Sequence, residues 1–257
     1  MNRLSLPHVT LCAVDCEVPA LSALALLQAQ RGIDFGRVVL FTRGWLPTVV
    51  LPGLEVVDIA HLDGEAERAD FVVRRLHTLV SSSHALLMRW DAGVLDPVAW
   101  NDEFLVPDYL AAPALRDDGP GLPGLSLRSR RWLRAGADVR LRDPQLDDAQ
   151  LCGPHRGFLQ DMHGVHFAPP SLSQRFAAVG GAAAQGVFGF VGSSYLPALL
   201  GEVETLELVR RLPAEFTGAP ADAFEAALRA GNMTEALEQF RQWRERQRTV
   251  AALRRRA

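Results

Sequence analysis

The sequence predicts an α/β sandwich on a mostly parallel central sheet, and three observations carry that prediction. Compact β-rich runs alternate with segments of helical periodicity in the order β-α-β-β-α-β before residue 90. Apolar residues make up 48% of the 257, enough for a sizeable core in one large or two small domains. Asp15, Thr42-Arg43 and Asp91 follow directly on apolar runs. Open parallel sheets collect their ligands at such places, beyond the carboxyl ends of the strands.

Val9 to Val14 (VTLCAV) is the first strand, ended by Asp15 and Cys16. A helix of about three turns follows, with Pro19 in its first turn, Leu21, Leu24, Leu26 and Leu27 on its apolar side, and Gly32 as terminator. Arg37 to Phe41 and Leu54 to Ile59 read as the next two strands. From Glu65 to Val80 the apolar positions Val72, Val73, Leu76, Leu79 and Val80 keep helical spacing, predicting one helix with a face on the sheet. Ala85 to Met88 then delivers Arg89-Trp90-Asp91 to a sheet edge, before the small-residue break at Ala92-Gly93.

After Pro113 the texture changes. Arg116 to Pro123 is a polar, Gly/Pro-rich loop, Gly124 to Leu127 a short strand, and Ser129 the cap of a helix from Arg130 to about Arg134. A charged loop from Asp138 to Asp148 leads into one helix carrying Leu151, Phe158, Leu159 and Met162, ended by Gly164. Val165 to Ala168 reads as a strand before Pro169-Pro170. Beyond Tyr195 the chain is helical, closing with Asp222 to Ala230 and Glu235 to about Leu253. Asn232 and Glu235 have capping-box spacing, and Leu237, Phe240 and Trp243 form an apolar stripe. The division expected is residues 1–212 as the α/β domain and 213–257 as a helical appendage packed on the sheet or on a partner.

Bulk properties exclude several classes. A net charge of -3 and a pI near 6.2 give no basis for non-specific nucleic-acid binding. Every one of the 27 basic residues is Arg, a planar fork suited to carboxylate or phosphate partners. Cys12, Cys16 and Cys152 are too few and scattered for a disulfide framework, which favours a reducing, cytoplasmic setting. No secretory signal is expected at the N-terminus. Phe176 to Gly201 runs 26 residues without a charge, but its glycines, Gln185 and Pro197 predict a buried loop-strand-helix segment rather than a membrane span. His155, His163 and His166 lie close together at spacings that match no familiar metal motif.

Five segments share a further pattern. They are VTLCAVD with FGRVVLFT; the stretch from Arg89 through WNDEFLVPDYLAAP; GLPGLSLRSRRWL; Leu146 to Cys152 (LDDAQLC); and GVHFAPPSLSQRF with FGFVG. In this order they resemble a family of glycosyltransferases described only as a domain of unknown function, over roughly Leu6 to Leu200. The resemblance implies a GT-A-like fold, the α/β/α architecture of nucleotide-diphospho-sugar transferases. It implies transfer of a sugar from a nucleotide-sugar donor to a hydroxyl of a glycan or other acceptor. Asp148, with Asp147 beside it, matches the family's acidic pair and would serve as the base on the acceptor side. Asp91, Arg89, Trp90 and Arg128 would meet the donor, with Asp91 either a ligand of a divalent metal (Mn or Mg) or a contact of the ribose, and Arg128 either pairing a phosphate or orienting one of the carboxylates. The departures are specific: Arg89 replaces a Gln, Leu122-Pro123 replaces Asn-Gly, Val179 a Glu and Val191 a His. With a cation beside Asp91, Arg89 would supply the positive charge in place of a metal. The alternative expectation is a homologue that has lost catalysis and binds a nucleotide or glycan, or serves a partner subunit.

Overall fold

The structure, a computed structural model, describes residues 3–114, 121–143, 146–180 and 185–254. The chain divides at Val191 and Gly192 into two compact units. Residue 212, the boundary expected from the sequence, falls inside the second.

The first unit begins with β1 (Leu4–Val14), α1 (Pro19–Ala29), β2 (Ile33–Thr42), β3 (Glu55–Asp58), α2 (Gly64–Arg74), the single turn α3 (Leu76–Leu79) and β4 (His84–Met88). It continues through β5 (Ala92–Val94), β6 (Tyr109–Ala112), β7 (Leu122–Ser129), α4 (Arg130–Gly136), α5 (Asp148–Cys152), α6 (Arg156–His163), α7 (Pro170–Phe176), β8 (Ala177–Val179) and β9 (Gly189–Val191). Among the described residues the main sheet has the order β3-β2-β1-β4-β7-β6. β1 pairs parallel to β2 and β4, β2 parallel to β3, while β7 runs antiparallel to both its neighbours. A second, small sheet has the order β5-β9-β8.

Alternation along β1 shows why this sheet is buried on both faces. Leu11 and Ala13 enter one core with Leu26 and Ala29 of α1, while Cys12 and Val14 enter the other with Val72 and Val73 of α2 and Trp132 of α4. The period of two in a strand sends successive side chains to opposite layers. The architecture is therefore mixed α/β, with helices on both faces of a mostly parallel sheet.

Local chemistry accounts for several boundaries. Ser129 Oγ accepts from the Trp132 N–H at 3.1 Å and starts α4. Gly164 closes α6 with φ of +61°, a left-handed conformation that suits glycine. The one helix expected over 65–80 is interrupted at Arg75, where φ is -117°. The helix expected to carry Leu151 through Met162 is instead α5 and α6, parted at Gly153, because the following Pro154 disfavours helical backbone there. Val165 to Ala168 forms no strand: a lone bridge from Phe167 to Tyr109 precedes Pro169-Pro170, which cannot extend a ladder. Most of the expected 116–123 loop, the middle of the 138–148 loop, Gly181 and the terminal Arg255-Arg256 lie outside the described residues.

The second unit contains α8 (Leu196–Leu200), α9 (Glu202–Val209), α10 (Gly218–Ala230) and α11 (Thr234–Arg254). Phe216, Phe224, Phe240 and Trp243 form an aromatic core, with Phe240 and Trp243 stacked at 5.6 Å. The closing hairpin packs on its own unit's α8 and α9. The capping box does not form. Asn232 takes φ of 55°, and Glu202 Oε1 accepts the Glu235 N–H at 2.9 Å. No helix among the described residues is long and apolar enough to cross a membrane.

Candidate functional site

In the first unit α2, the start of β7 and α5 enclose a pocket of about 560 Å³. Its polar lining comes from Glu65 and Arg68 of α2, Arg128 of β7, and Asp147, Asp148 and Gln150 around α5. Register explains how Arg128 gets there. It lies opposite Ala85 of β4 and Tyr109 of β6, on the sheet face shared with Ser126 and Leu87. That face is the one α2, α4 and α5 cover. Arg74 of α2 fastens the loop before α5 by donating to the carbonyls of Leu141 and Asp143 at 3.0–3.1 Å.

The centre of the site is an ion pair out of water. Arg128 is 1% exposed; its Nε donates to Ser126 Oγ at 3.0 Å and its Nη2 to Asp148 Oδ2 at 2.5 Å. Asp148 is 7% exposed. Both groups are only half used, because Arg128 Nη1 and Asp148 Oδ1 are buried without a hydrogen-bond partner in the protein. Asp147 is committed to structure: its Oδ1 accepts from the Gln150 N–H at 2.8 Å and caps α5. Close by, burial pushes the Cys152 thiol up to about 12, with Asp148 adding to the shift. That environment favours the neutral thiol over the thiolate.

Glu65 and Arg68, one helical turn apart, form a bidentate pair at the pocket wall. Burial by itself would lower the Arg68 guanidinium. Glu65, Asp148 and Asp15 outweigh it and raise that group. Arg89 approaches the same Glu65 from the end of β4, at 3.8 Å. Neither Glu65 nor Arg68 was singled out from the sequence, although an acid and an arginine at i,i+3 on a sheet-packing helix were the available signal.

The stretch after β4 lies beside this pocket but is not part of its lining. Arg89 Nε stands 3.5 Å from Asp91 Oδ1, too poorly aligned for a hydrogen bond, so that buried oxygen has no hydrogen-bond partner. Trp90 is buried, 8% exposed, which leaves little of its ring open to stack on a ligand. Trp100 packs edge-on against Phe104 and Phe188 at 5.5 and 5.0 Å and donates from Nε1 to Asp102. Of the other acids and cations at strand ends, Asp15 accepts from the Glu17 and Val18 N–H groups in the turn before α1 and from the Ser22 hydroxyl, and Arg43 pairs with Asp58 at 2.8 Å.

A metal finds little to hold it. Among the described residues no group of three or more His, Cys, Asp or Glu side chains is placed to bind one. Asp91 is one carboxylate with a guanidinium 3.5 Å from it, a set that does not fit a protein-built cation site. The three clustered histidines face different aspartates: His155 meets Asp143, His163 meets Asp138 at 2.9 Å, and His166 meets Asp108 at 3.5 Å.

No protein-family model matches the chain, and no curated protein matches it. Among solved structures, the galactosyltransferase LgtC in complex with donor and acceptor sugar analogs is similar at 13% identity, over 66% of this chain and 75% of that one, with a TM-score of 0.39. An active-site mutant of LgtC is similar at 13% identity, over 88% of this chain and 96% of that one, with a TM-score of 0.41. Likeness at this level decides neither the fold family nor the reaction.

Proposed function

We propose that the chain is a GT-A-type glycosyltransferase, moving a sugar from a nucleotide-sugar donor to a hydroxyl of a glycan or another acceptor. One observation carries the reading. Two segments resembling the transferase family, GLPGLSLRSRRWL and LDDAQLC, line one pocket and are joined there by the buried Arg128–Asp148 pair.

On this reading Asp148 accepts the proton of the acceptor hydroxyl, while the new glycosidic bond forms and the bond to the diphosphate breaks. Asp147 holds the start of α5, and so Asp148, in place. Arg89 and Asp91 flank the donor side, Arg89 countering diphosphate charge that a metal would otherwise counter. No step is assigned to a metal.

A second reading has an observation of its own. Asp148 already forms a tight ion pair with Arg128 and Asp147 is spent as a cap, an arrangement that also suits a binding protein without catalysis. Thermal-shift titration with UDP, GDP and their sugars, with and without manganese, tests the proposal. A nucleotide-dependent rise in Tm that is indifferent to manganese, and absent in Arg89→Ala, is the expected outcome. No rise with any nucleotide would favour the second reading.

A further inference from the structure

We propose that Glu65 and Arg68 are positioning residues for Arg89, and that their pairing sets how strongly Arg89 holds the diphosphate of a donor. The proposal rests on the glycosyl-transfer reading and adds to it two residues of α2 that decide the affinity of its anion side.

Arg89 is fixed at its backbone and unengaged at its side chain. Its N–H donates to the Gly124 carbonyl at 2.9 Å, on the strand whose Leu122 and Pro123 line the pocket. Its guanidinium lies between two carboxylates, with Nη1 3.8 Å from Glu65 and Nε 3.5 Å from Asp91. The first contact is too long for a hydrogen bond and the second too poorly aligned, so both acids attract Arg89 without engaging its donors. A guanidinium in that state, on a side chain 42% exposed, can present its fork to a phosphate.

Arg68 is what keeps Glu65 from closing on Arg89. Its Nε donates to Glu65 Oε2 at 2.7 Å and its Nη2 to Oε1, so one fork occupies both carboxylate oxygens. Burial would raise the Glu65 carboxyl, but Arg68 and then Arg89 outweigh it and hold that group below the ordinary glutamate value. Glu65 is therefore a charged acid within reach of two guanidinia. Without Arg68 it is left to Arg89 and engages the donors that a diphosphate needs. Without Glu65, Arg89 keeps its donors and an incoming anion no longer meets a carboxylate beside them. The two substitutions thus act on anion binding with opposite signs, and the first acts only through the second residue.

Isothermal titration calorimetry of the full chain with inorganic pyrophosphate, in metal-free buffer at low salt, tests this. The natural chain should bind pyrophosphate, and Arg89→Gln should weaken binding about tenfold or more. Glu65→Gln should tighten binding about threefold or more, and Arg68→Gln should weaken it by a similar factor. Arg68→Lys should restore most of that loss. In a Glu65→Gln background the Arg68→Gln effect should vanish, because no carboxylate is left to capture Arg89. The Glu65 side chain is 60% exposed, so Glu65→Gln carries the sign of the effect even where Arg68→Gln unfolds. The proposal is overturned if pyrophosphate does not bind, if Glu65→Gln leaves binding unchanged or weaker, or if Arg68→Gln weakens it equally in both backgrounds. Nucleotide release from a sugar donor is a separate measurement. The expected signs without release sink the transfer reading and leave this one standing, and release without pyrophosphate binding does the reverse.

Discussion

Arg128 concentrates the physical problem of this molecule in one side chain, since a guanidinium that is 1% exposed must be paid for by its partners. Removing it strands Asp148 as an uncompensated buried charge. Arg128→Met is expected to destabilise the fold by about 3–5 kcal/mol in urea unfolding, whereas adding Asp148→Leu should recover most of that loss. A double variant no better than the single one would show that the pair is not the source of the cost. Asp108 makes the pH dependence concrete. Burial would raise its carboxyl, but Ser129 Oγ at 2.6 Å, the His166 N–H at 2.9 Å and Arg131 at 3.1 Å hold it below the ordinary aspartate value. A depressed carboxylate stabilises the fold above its unfolded pKa, about 3.9, and that stability is lost as pH falls through the folded value. Asp108→Asn should therefore lower Tm at pH 7 and make the loss of stability below pH 4 shallower. Equal acid limbs in the two proteins would contradict this. Of the residues that line the pocket, Arg128, Asp147 and Asp148 are candidates from motif order, but Glu65 and Arg68 enter only because α2 covers the same sheet face. Their sequence distance from those motifs hides that contact.

At the level of elements, long central strands and their helices were legible because burial on both faces writes continuous apolar runs. The strands β5, β6, β8 and β9, each three or four residues long, were not marked. Ala92-Gly93 reads as a break, yet it belongs to β5. A Cβ built on Gly93 would sit 2.9 Å from the Phe190 ring of the paired strand, so the small residue is a packing requirement. Gly93→Ala should cost about 1–3 kcal/mol through overpacking. Gly164 has open space around its Cβ position, so Gly164→Ala should cost only the left-handed backbone, about 1–2 kcal/mol. Chemical denaturation of both variants separates steric from conformational cost; a neutral Gly93→Ala would show that the β5–β9 packing yields.

At the level of the whole molecule, the α/β class and the two-sided sheet follow from composition and run order, while the site depends on long-range packing. The pocket joins residues 65–73, 121–128 and 146–150, and the ion pair at its floor spans twenty residues of sequence. The helical second unit was foreseen as helix, but its independent aromatic core was not, since Phe216 and Phe224 precede the apolar stripe that drew attention. The proposed reaction is sugar transfer by a pocket built on Asp148. It is tested most directly by measuring nucleotide release from a panel of UDP- and GDP-sugars with saccharide acceptors, comparing the natural chain with Asp148→Asn. Acceptor-stimulated release is expected with at least one donor, reduced about 100-fold or more in the variant. Release from no donor, or equal turnover in Asp148→Asn, would contradict it.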